Sequence, residues 1–357
     1  MKILLLRTTS AHLDAHDVLF ANTFLARGDE VCVGLVNTVA THNYHVYGFT
    51  VPYRVEVELL KQYHAAERDE LGKQEVLEKF DFGGIDEPLK WESLENFDLI
   101  WVMKSPHPDL AKDIWQILWL LAKRVPFVNS VEALLFLNTK NTFGYLVPQE
   151  HLLENHVANS FDILWEVYRR QPQERWVLKP TNSGGGTDVF LVDSQGSNDR
   201  ALIQSMTGNT KSIVDPTIGD SLLGLQNKYA VLQKFASEVQ HGEKRVIIAG
   251  GEVITAHGRV SVSGEHRSNL FQGGQSYASA LTEQEEYMCS RLTELLLANG
   301  VGYVGLDISY PYILEFNMID PGGLARVLLL TGTNYASRTI DCIIKTRTAT
   351  GHVSKQG

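Results

Sequence analysis

Cysteine is scarce in this 357-residue chain, and long apolar runs are missing. The three cysteines, Cys32, Cys289 and Cys342, form no CxxC pair, which argues against a disulfide framework or zinc site and predicts buried thiols. No run of about 18 apolar residues occurs, so no membrane-spanning helix is predicted. Only four apolar residues separate Lys2 from Arg7, too few for a signal-peptide core. We therefore expect a cytoplasmic protein without a membrane partner.

Positive charge is also in deficit, with a formal net charge of -10. Binding to a phosphate backbone needs a basic surface, so the composition disfavours nucleic acid as a partner. An anionic ligand would have to be met by a local basic cluster. The apolar content of 44% and charged content of 21% are typical of a soluble globular protein, and the length allows about two or three domains.

The first part of the chain alternates short β-rich runs with helical patterns, which predicts a βαβ layout and a largely parallel sheet. Strands are predicted at KILLL, EVCVGLV, FDLIWVM and PFVNS. One helix is predicted from Asp17 to Arg27, with Gly28 as its stop, and another begins around Pro108. Residues 40–95 are polar and charge-mixed, with a further helix predicted from Glu56 to Lys79.

A histidine pair stands near the start of the first helix. His12 and His16 are spaced i, i+4 beside two aspartates, which is compatible with a metal site, but an exposed helix start capped by Asp14 or Asp17 is the preferred interpretation. The loop lies at the carboxyl end of the first strand, where open α/β sheets bind ligands. Ser10, His12 and Asp14 are therefore candidate substrate contacts.

A glycine run follows the strand WVLKP, which ends in Lys179 and Pro180. Glycines 184–186 precede the next strand, around Val189 to Val192, and would let backbone N–H groups approach an anion closely. The loop is not a P-loop, because GK[ST] is absent and the lysine precedes the glycines. An ordinary glycine-rich hairpin turn is an equal alternative.

Further along, basic residues stand at strand ends and in a glycine-rich loop. Arg245 precedes an apolar strand that turns at Gly250 and Gly251 into the next strand. The loop GRVSVSGEHRSNLFQGGQ lacks apolar periodicity and carries Arg259 and Arg267. A solvated surface is one interpretation of these arginines, but their concentration in an acidic chain favours an anion site.

The stretch GLDISYPYILEFN carries two carboxylates and an amide at strand spacing. Because side chains alternate along a strand, Glu315 and Asn317 share a face. An odd loop or an equivalent bulge would place Asp307 across from Glu315, whereas a two-residue loop alone would place them on opposite faces. Only the first arrangement builds a hard-oxygen site for Mg²⁺ beside phosphate. The alternative is a solvated hairpin rim.

Four of these pieces together resemble the ATP-grasp superfamily, and within it the bacterial glutathione synthetases. They are the Lys-Pro strand with its glycine flap, VLQKF…GEKRVIIAGGE, the GEHRSNLFQGG loop and GLDI…LEFN, in that family's order and spacing. The resemblance implies an α/β ATP-grasp fold with an N-terminal βαβ domain at 1–135. It further implies a central or lid subdomain at 136–228, a C-terminal subdomain with the metal site at 229–346 and a tail at 347–357.

The resemblance also implies roles for individual residues. The ATP-binding residues would be Lys140 and Lys179 at the phosphates, Ser183, Gly184, Gly185 and Gly186 in the flap, Gln233, Lys234, Phe235 and Ala236 at the adenine, and Glu243 at the ribose. Two Mg²⁺ ions, replaceable by Mn²⁺, would be held by Asp307, Glu315 and Asn317. Catalytic donors would be Arg245, Arg267 and Asn269, and substrate contacts Arg259, Asp320, Gly322 and Gly323.

The implied reaction passes the γ-phosphoryl group of ATP to a carboxylate, and an amine then attacks the acyl phosphate. The chain departs from the family at Asp320, which would repel a substrate carboxylate unless a backbone nest or an arginine compensates. The stretch MKSPHPD likewise replaces a more basic one. We therefore predict an ADP-forming carbon–nitrogen ligase for an amino acid or small peptide other than those of glutathione synthesis.

Three alternatives stay open at this stage: a small-molecule kinase of the same fold, glutathione synthetase itself, and a non-catalytic ATP-binding protein. The predicted partners are small amino-acid or peptide substrates. The resemblance also implies a homo-oligomer.

Overall fold

The computed structural model describes residues 1–8, 14–41, 44–51, 61–62, 90–182, 184, 186–194, 196–208, 228–261 and 274–350. Several predictions lie outside these described residues: nearly all of the helix from Glu56 to Lys79, and the site residues Ser10, His12, Ser183, Gly185, Arg267 and Asn269. Within the described residues, no helix is both long enough and apolar enough to cross a membrane.

The first sheet has six strands in the order β4-β3-β2-β1-β5-β6. They are β1 (Lys2–Arg7), β2 (Glu30–Leu35), β3 (His45–Thr50), β4 (Lys90–Ser93), β5 (Leu99–Val102) and β6 (Phe127–Val128). The four strands β2, β1, β5 and β6 are parallel to each other, whereas β3 and β4 pair antiparallel. This confirms the largely parallel sheet predicted from the alternating pattern.

Two helices accompany this sheet, α1 (Ala15–Ala26) and α2 (Pro108–Leu121). Asp14 caps α1 in a capping box with Asp17, as predicted, and Gly28 follows its end at φ +87°. The expectation that this helix start is exposed is wrong, because His16 is buried. The helix start packs against a turn from the other end of the chain, which local sequence does not reveal.

The second sheet is antiparallel, in the order β7-β10-β8-β9. It consists of β7 (Asn155–Ala158), β8 (Trp176–Pro180), β9 (Phe190–Val192) and β10 (Ala230–Lys234). The short helices α3 (Val131–Phe136) and α4 (Phe143–Leu146) precede it, and α5 (Phe161–Arg170) and α6 (Asp199–Thr207) pack on it. Its own buried cluster includes Leu164, Trp176 and Ile203.

The third sheet is also antiparallel, in the order β13-β12-β11-β14-β15. Its strands are β11 (Glu243–Ala249), β12 (Glu252–Val260), β13 (Gln275–Ala278), β14 (Tyr303–Ser309) and β15 (Tyr312–Asn317). The helices are α7 (Glu283–Ala298), α8 (Leu324–Thr331) and α9 (Ala336–Thr350). The sequence predicts a helix from about Glu283 to Ala298, closed by Asn299 and Gly300, and α7 confirms it. Thr282 and Glu285 form its capping box.

Apolar side chains of the first and third sheets belong to shared core clusters. One cluster contains Ile100 and Leu306, and another contains Trp101 and Tyr303. Asn129, buried between the sheets, donates to the carbonyls of Tyr303 and Met318 at 2.8 Å each. The carboxyl ends of the first sheet are therefore held close to the chain that follows β15. The domain boundaries stay a prediction.

Candidate functional site

The hairpin β14–β15 has the pairing that the metal-site prediction requires, since Asp307 lies opposite Glu315. The connection between paired Ser309 and Tyr312 has only two residues, which alone would put the carboxylates on opposite faces. A register shift after Asp307 leaves Leu314 as the extra residue of a bulge, and the bulge restores the common face. The predicted odd residue is thus in the strand and not in the loop.

Asp307 is the most heavily bonded carboxylate of the site. It accepts from Arg245 twice, at 2.5 Å from Nε and 2.8 Å from Nη2, and from Arg259 Nη1 at 3.3 Å. Asn317 Nδ2 donates to it at 3.2 Å. Burial raises the pKa of Asp307, but the two arginines outweigh burial and lower it to about 2. The carboxylate is therefore ionised, as a metal ligand must be.

One polar row crosses four strands of the third sheet. The register places His257 beside Arg245, Arg245 beside Asp307, and Asp307 beside Glu315. His257 was not among the predicted residues, although it stands two positions before Arg259 and so shares its face. Burial first, and then Arg259 and Arg245, lower the pKa of His257 to about 2, so its ring is neutral. Neither ring nitrogen has a hydrogen-bond partner among the described residues.

Two lysines face this row from other parts of the chain. Lys140, in the segment between α3 and α4, forms an ion pair of 2.9 Å with Glu315. Lys179, at the end of β8, donates to Gln233 Oε1 at 2.9 Å. Burial lowers the pKa of Lys179 to about 8. The second sheet thus contributes a buried amine opposite the carboxylates of the third.

A cavity of about 150 Å³ lies between the second and third sheets. It is lined by every described residue that was predicted to bind ATP or metal: Lys140, Lys179, Gly184, Gly186, Gln233, Lys234, Phe235, Ala236, Glu243, Asp307, Glu315 and Asn317. Arg245 and Arg259 line it as well. The structure therefore brings these residues together from separate parts of the chain, while their individual roles stay predictions.

The donor set of this cavity fits Mg²⁺. Mg²⁺ in proteins is typically held by one or two carboxylates together with substrate phosphates, and does not require a cage of protein ligands. Asp307 and Glu315 supply two carboxylates, and Asn317 adds an amide oxygen. Among the described residues no group of three or more His, Cys, Asp or Glu could hold a metal by itself. A Mg²⁺ ion here would consequently need oxygens of a bound phosphate to complete its coordination.

Asp320 lies outside this cavity, in a buried ionic cluster after β15. Its carboxylate is 3.0 Å from Lys104 Nζ, 3.2 Å from His16 Nδ1 and 3.5 Å from Arg7 Nη1. Burial raises the pKa of Asp320, but the hydrogen bond from His16 and the charge of Lys104 hold it far below its usual range. These three groups compensate the charge that was expected to repel a substrate. Sequence reasoning missed Arg7 and Lys104 because they are distant from Asp320 in the chain.

The turn after Asp320 connects the cluster to the polar row. Arg245 donates through Nη1 to the carbonyl of Pro321, and Gly323 caps the start of α8 at φ +109°. Neither Gly322 nor Gly323 lines the cavity described above. The substrate contacts predicted for Asp320, Gly322 and Gly323 stay predictions.

Comparisons with known proteins agree with this geometry. The family described as "Prokaryotic glutathione synthetase, ATP-grasp domain" matches residues 146–332, more than half of the chain. Glutathione synthetase of Parasynechococcus marenigrum (strain WH8102) is 30% identical over 252 residues, which cover 70% of this chain and 76% of that protein.

Solved structures show the same fold at low identity. D-cycloserine synthetase DcsG has a TM-score of 0.58 and 12% identity, covering 97% of this chain and 99% of its own. The ATP-grasp ligase PsnB, complexed with a phosphomimetic variant of its minimal precursor, Mg and ADP, has a TM-score of 0.57 and 11% identity, covering 96% and 98%. The chain belongs to the family of prokaryotic glutathione synthetase ATP-grasp domains.

Proposed function

We propose that this protein is an ADP-forming ligase that joins a carboxylate to an amine through an acyl phosphate. The observation that carries the proposal is the polar row from Arg245 through Asp307 to Glu315, which faces Lys140 and Lys179 across one cavity. Basic and carboxylate side chains from separate parts of the chain thus line one cavity, as binding of a triphosphate with its metal ions requires. Family membership supports the same chemistry.

The chain's own residues divide the work of this reaction. Bound ATP with Mg²⁺ supplies the phosphoryl group that activates the carboxylate. Lys140 and Lys179 neutralise the negative charge of the phosphates. Asp307 and Glu315 would hold the Mg²⁺ ions. Arg245 is held in place by its two contacts with Asp307. Its positive charge stabilises the negatively charged tetrahedral intermediate.

The amide-forming step needs no side-chain nucleophile. The lone pair of the amine nitrogen forms the C–N bond, and the bond between the acyl carbon and the phosphate oxygen breaks. Inorganic phosphate leaves with the bonding electron pair, and the amine loses one proton. Water must be kept from the acyl phosphate during this step, and the deeply buried setting of Arg245 and Asp307 favours its exclusion.

We also propose that the substrates are an amino acid or small peptide other than those of glutathione synthesis. The support is Asp320 itself, a carboxylate at the position where the chain departs from the family, held in a buried cluster by Arg7 and His16. The relatives named glutathione synthetase leave the exact substrate open at 30% identity.

The test is to incubate the protein with ATP, Mg²⁺ and a panel of amino acids and γ-glutamyl dipeptides, and to measure ADP and product masses. We expect substrate-dependent ADP release with an equimolar amide product. A phosphate ester as the product would instead identify a kinase, and no turnover with any pair would favour a non-catalytic ATP-binding protein. If γ-glutamylcysteine and glycine were the best pair of substrates, the protein would be a glutathione synthetase.

Glu315→Gln tests the metal assignment in the same assay. Replacing a carboxylate ligand by an amide should lower turnover by more than about 100-fold, with the protein still folded. Glu166→Gln is the matched control, because Glu166 is exposed on α5 and pairs only with Arg170 among the contacts described. Equal turnover of Glu315→Gln and the control would refute the metal role.

A further inference from the structure

A second and larger cavity, of about 550 Å³, adjoins the first on the side of the first sheet. The two cavities share Lys140, Lys179 and Glu315 among their lining residues. A molecule in the larger cavity can therefore reach the residues predicted to hold phosphate and metal. Pockets for small ligands typically have about 300–1,000 Å³, so this volume suits a compact substrate.

One wall of the larger cavity is apolar. Its side chains come from α2, α3, α4, β15 and the residues after β15, and they are Trp115, Leu134, Leu135, Phe143, Phe316 and Ile319. The rings of Phe143 and Phe316 lie 5.4 Å apart, so the wall is continuous between α4 and the hairpin. Placing a charged side chain against this wall would cost free energy, because its aliphatic and phenyl groups cannot hydrogen-bond to the charge. The ligand should therefore carry an apolar group.

Lys104 provides a cation at the part of the cavity formed by the first sheet. It follows β5 at the carboxyl ends of the parallel strands, and Thr8 and Ser105 line the cavity with it. Burial lowers the pKa of Lys104, but Asp320 and Asp14 outweigh burial and raise it, so the ammonium stays charged.

The ammonium of Lys104 is held in place yet accessible. Its Nζ lies 3.0 Å from Asp320 Oδ2, while 42% of the side chain is exposed. An ammonium has three donors, and the contact with Asp320 uses one. The guanidinium of Arg7 also contacts Asp320, so Lys104 is not its only counter-charge. Lys104 can therefore donate to a second anion in the cavity.

The position of Lys104 decides which end of a substrate it meets. Lys104 lines only the larger cavity, the predicted metal ligand Asp307 lines only the smaller one, and Lys140, Lys179 and Glu315 lie where the two cavities meet. A carboxylate bound to Lys104 is consequently not the carboxylate that is activated at the phosphates. A substrate anchored there must react through another group, and an amino group is the one that ligation requires.

We propose that the larger cavity binds the amine substrate, and that this substrate is an amino acid with an apolar side chain. Lys104 holds its carboxylate, with the hydroxyls of Thr8 and Ser105 beside it, and the apolar wall takes its side chain. The amino group then faces Lys140 and Glu315, which line both cavities. This inference rests on the proposed ligase function for the role of the amine, whereas the binding itself can be measured without turnover.

The test is calorimetric titration of the full-length protein, with Mg²⁺ and a non-hydrolysable ATP analogue present. The probes are the L and D forms of leucine and phenylalanine, glycine, glutamate, and 3-methylbutylamine, which is leucine without its carboxylate. We expect at least one apolar amino acid to bind ten-fold or more tightly than glycine, glutamate and 3-methylbutylamine. Equal or tighter binding of glycine or glutamate would overturn the proposal.

Variants separate recognition of the carboxylate from effects on folding. Lys104→Gln should weaken binding of the apolar amino acid at least ten-fold and leave the affinity for 3-methylbutylamine unchanged. Lys123→Gln is the matched control, because this exposed lysine pairs with Glu132 on the surface. Leu135→Ala should reduce the preference for leucine over glycine. Unchanged leucine affinity in Lys104→Gln, or an equal loss for 3-methylbutylamine, would refute carboxylate recognition by Lys104.

Turnover then distinguishes this inference from the ligase proposal. If amide products formed only with glycine or an acidic amino acid as the amine substrate, the inference would be overturned and the ligase function would stand. Leucine binding that depends on Lys104, without an amide product from any pair, would overturn the ligase function and the amine role but support the amino-acid site.

Discussion

The amine of Lys179 occupies a site in which burial disfavours its charge. Burial lowers its pKa to about 8, and Gln233, its neighbour at 2.9 Å, brings no compensating negative charge. Near pH 9 the free protein therefore holds Lys179 mostly neutral, at a cost smaller than that of burying an unpaired ammonium. An arriving phosphate would reverse this preference.

We predict that ATP binding near pH 9 takes up close to one proton at Lys179, because a neighbouring phosphate raises the pKa of the amine. Calorimetric titration with ATP in buffers of different ionisation enthalpy measures this uptake. Lys179→Met should bind ATP without it, whereas the surface variant Lys123→Gln should retain it. Binding to the native protein with no proton uptake near pH 9 would contradict the assignment of Lys179 to the phosphates.

The resemblance of four sequence motifs to the ATP-grasp superfamily predicted most of the residues that line the smaller cavity, but not their surroundings. Alternation along β12 puts His257 on the face of Arg259, so its position could have been inferred from spacing. Its neutral state could not, because that state depends on burial and on Arg245 in the next strand. Arg7 and Lys104 carry no local signal, and their contact with Asp320 exists only in the folded chain.

Among the elements, helices with strong local signals were the best predicted. The capping box of Thr282 with Glu285 marks the start of α7, and the bounds agree with the structure. The bulge at Leu314 had no comparable signal, because a one-residue shift in a hairpin depends on what each face packs against. The sequence therefore indicated that Asp307 and Glu315 must share a face, but not that a bulge at Leu314 places them there.

The turn between β11 and β12 provides a test of packing between elements. Gly250 has φ +53°, and a Cβ added there would lie 2.2 Å from the carbonyl oxygen of Cys342 on α9. We predict that Gly250→Ala lowers the free energy of unfolding by roughly 3 kcal/mol or more, since backbone strain and a steric overlap with main-chain atoms add. Urea denaturation followed by circular dichroism measures the change.

Gly332→Ala is the matched control for this turn. Gly332 has φ +73° after α8, but a Cβ there would meet no atom within 4 Å, so only backbone strain of roughly 1–2 kcal/mol applies. The difference between the two variants isolates the overlap with α9. Equal destabilisation of both variants would show that α9 shifts to accommodate the added methyl group.

At the scale of the whole molecule, the cluster around Asp320 joins the two ends of the chain. Asp320 follows the third sheet, whereas Arg7 ends the first strand and His16 lies in α1, 304 residues away from Asp320. This separation explains why the contact could not be predicted from sequence. It also means that the cluster stabilises the packing of the first sheet against the third, beside the shared apolar core.

We predict that Asp320→Asn lowers the free energy of unfolding by roughly 2 kcal/mol or more at pH 7, because Lys104 loses its 3.0 Å ion pair and His16 its acceptor, while Arg7 keeps Asp14 and Asp17. Asp341→Asn is the control, since this exposed carboxylate pairs with Arg27 on the surface and should contribute less than about 1 kcal/mol. Urea denaturation of the three proteins at one ionic strength gives the comparison. Equal stability of the two variants would show that the cluster contributes little to holding the sheets together.

The pH dependence of the same comparison identifies the ionised carboxylate as the cause. The pKa of Asp320 is lower in the folded protein than its usual value near 3.8, so the folded state favours the deprotonated form. Its contribution is complete above the unfolded pKa and is lost as the pH falls from there toward the folded pKa. The stability gap between the native protein and Asp320→Asn should therefore be constant from pH 7 to about pH 5 and narrow below about pH 4. A gap that is unchanged at about pH 3 would mean that Asp320 acts through its shape and hydrogen bonds, and not through its charge.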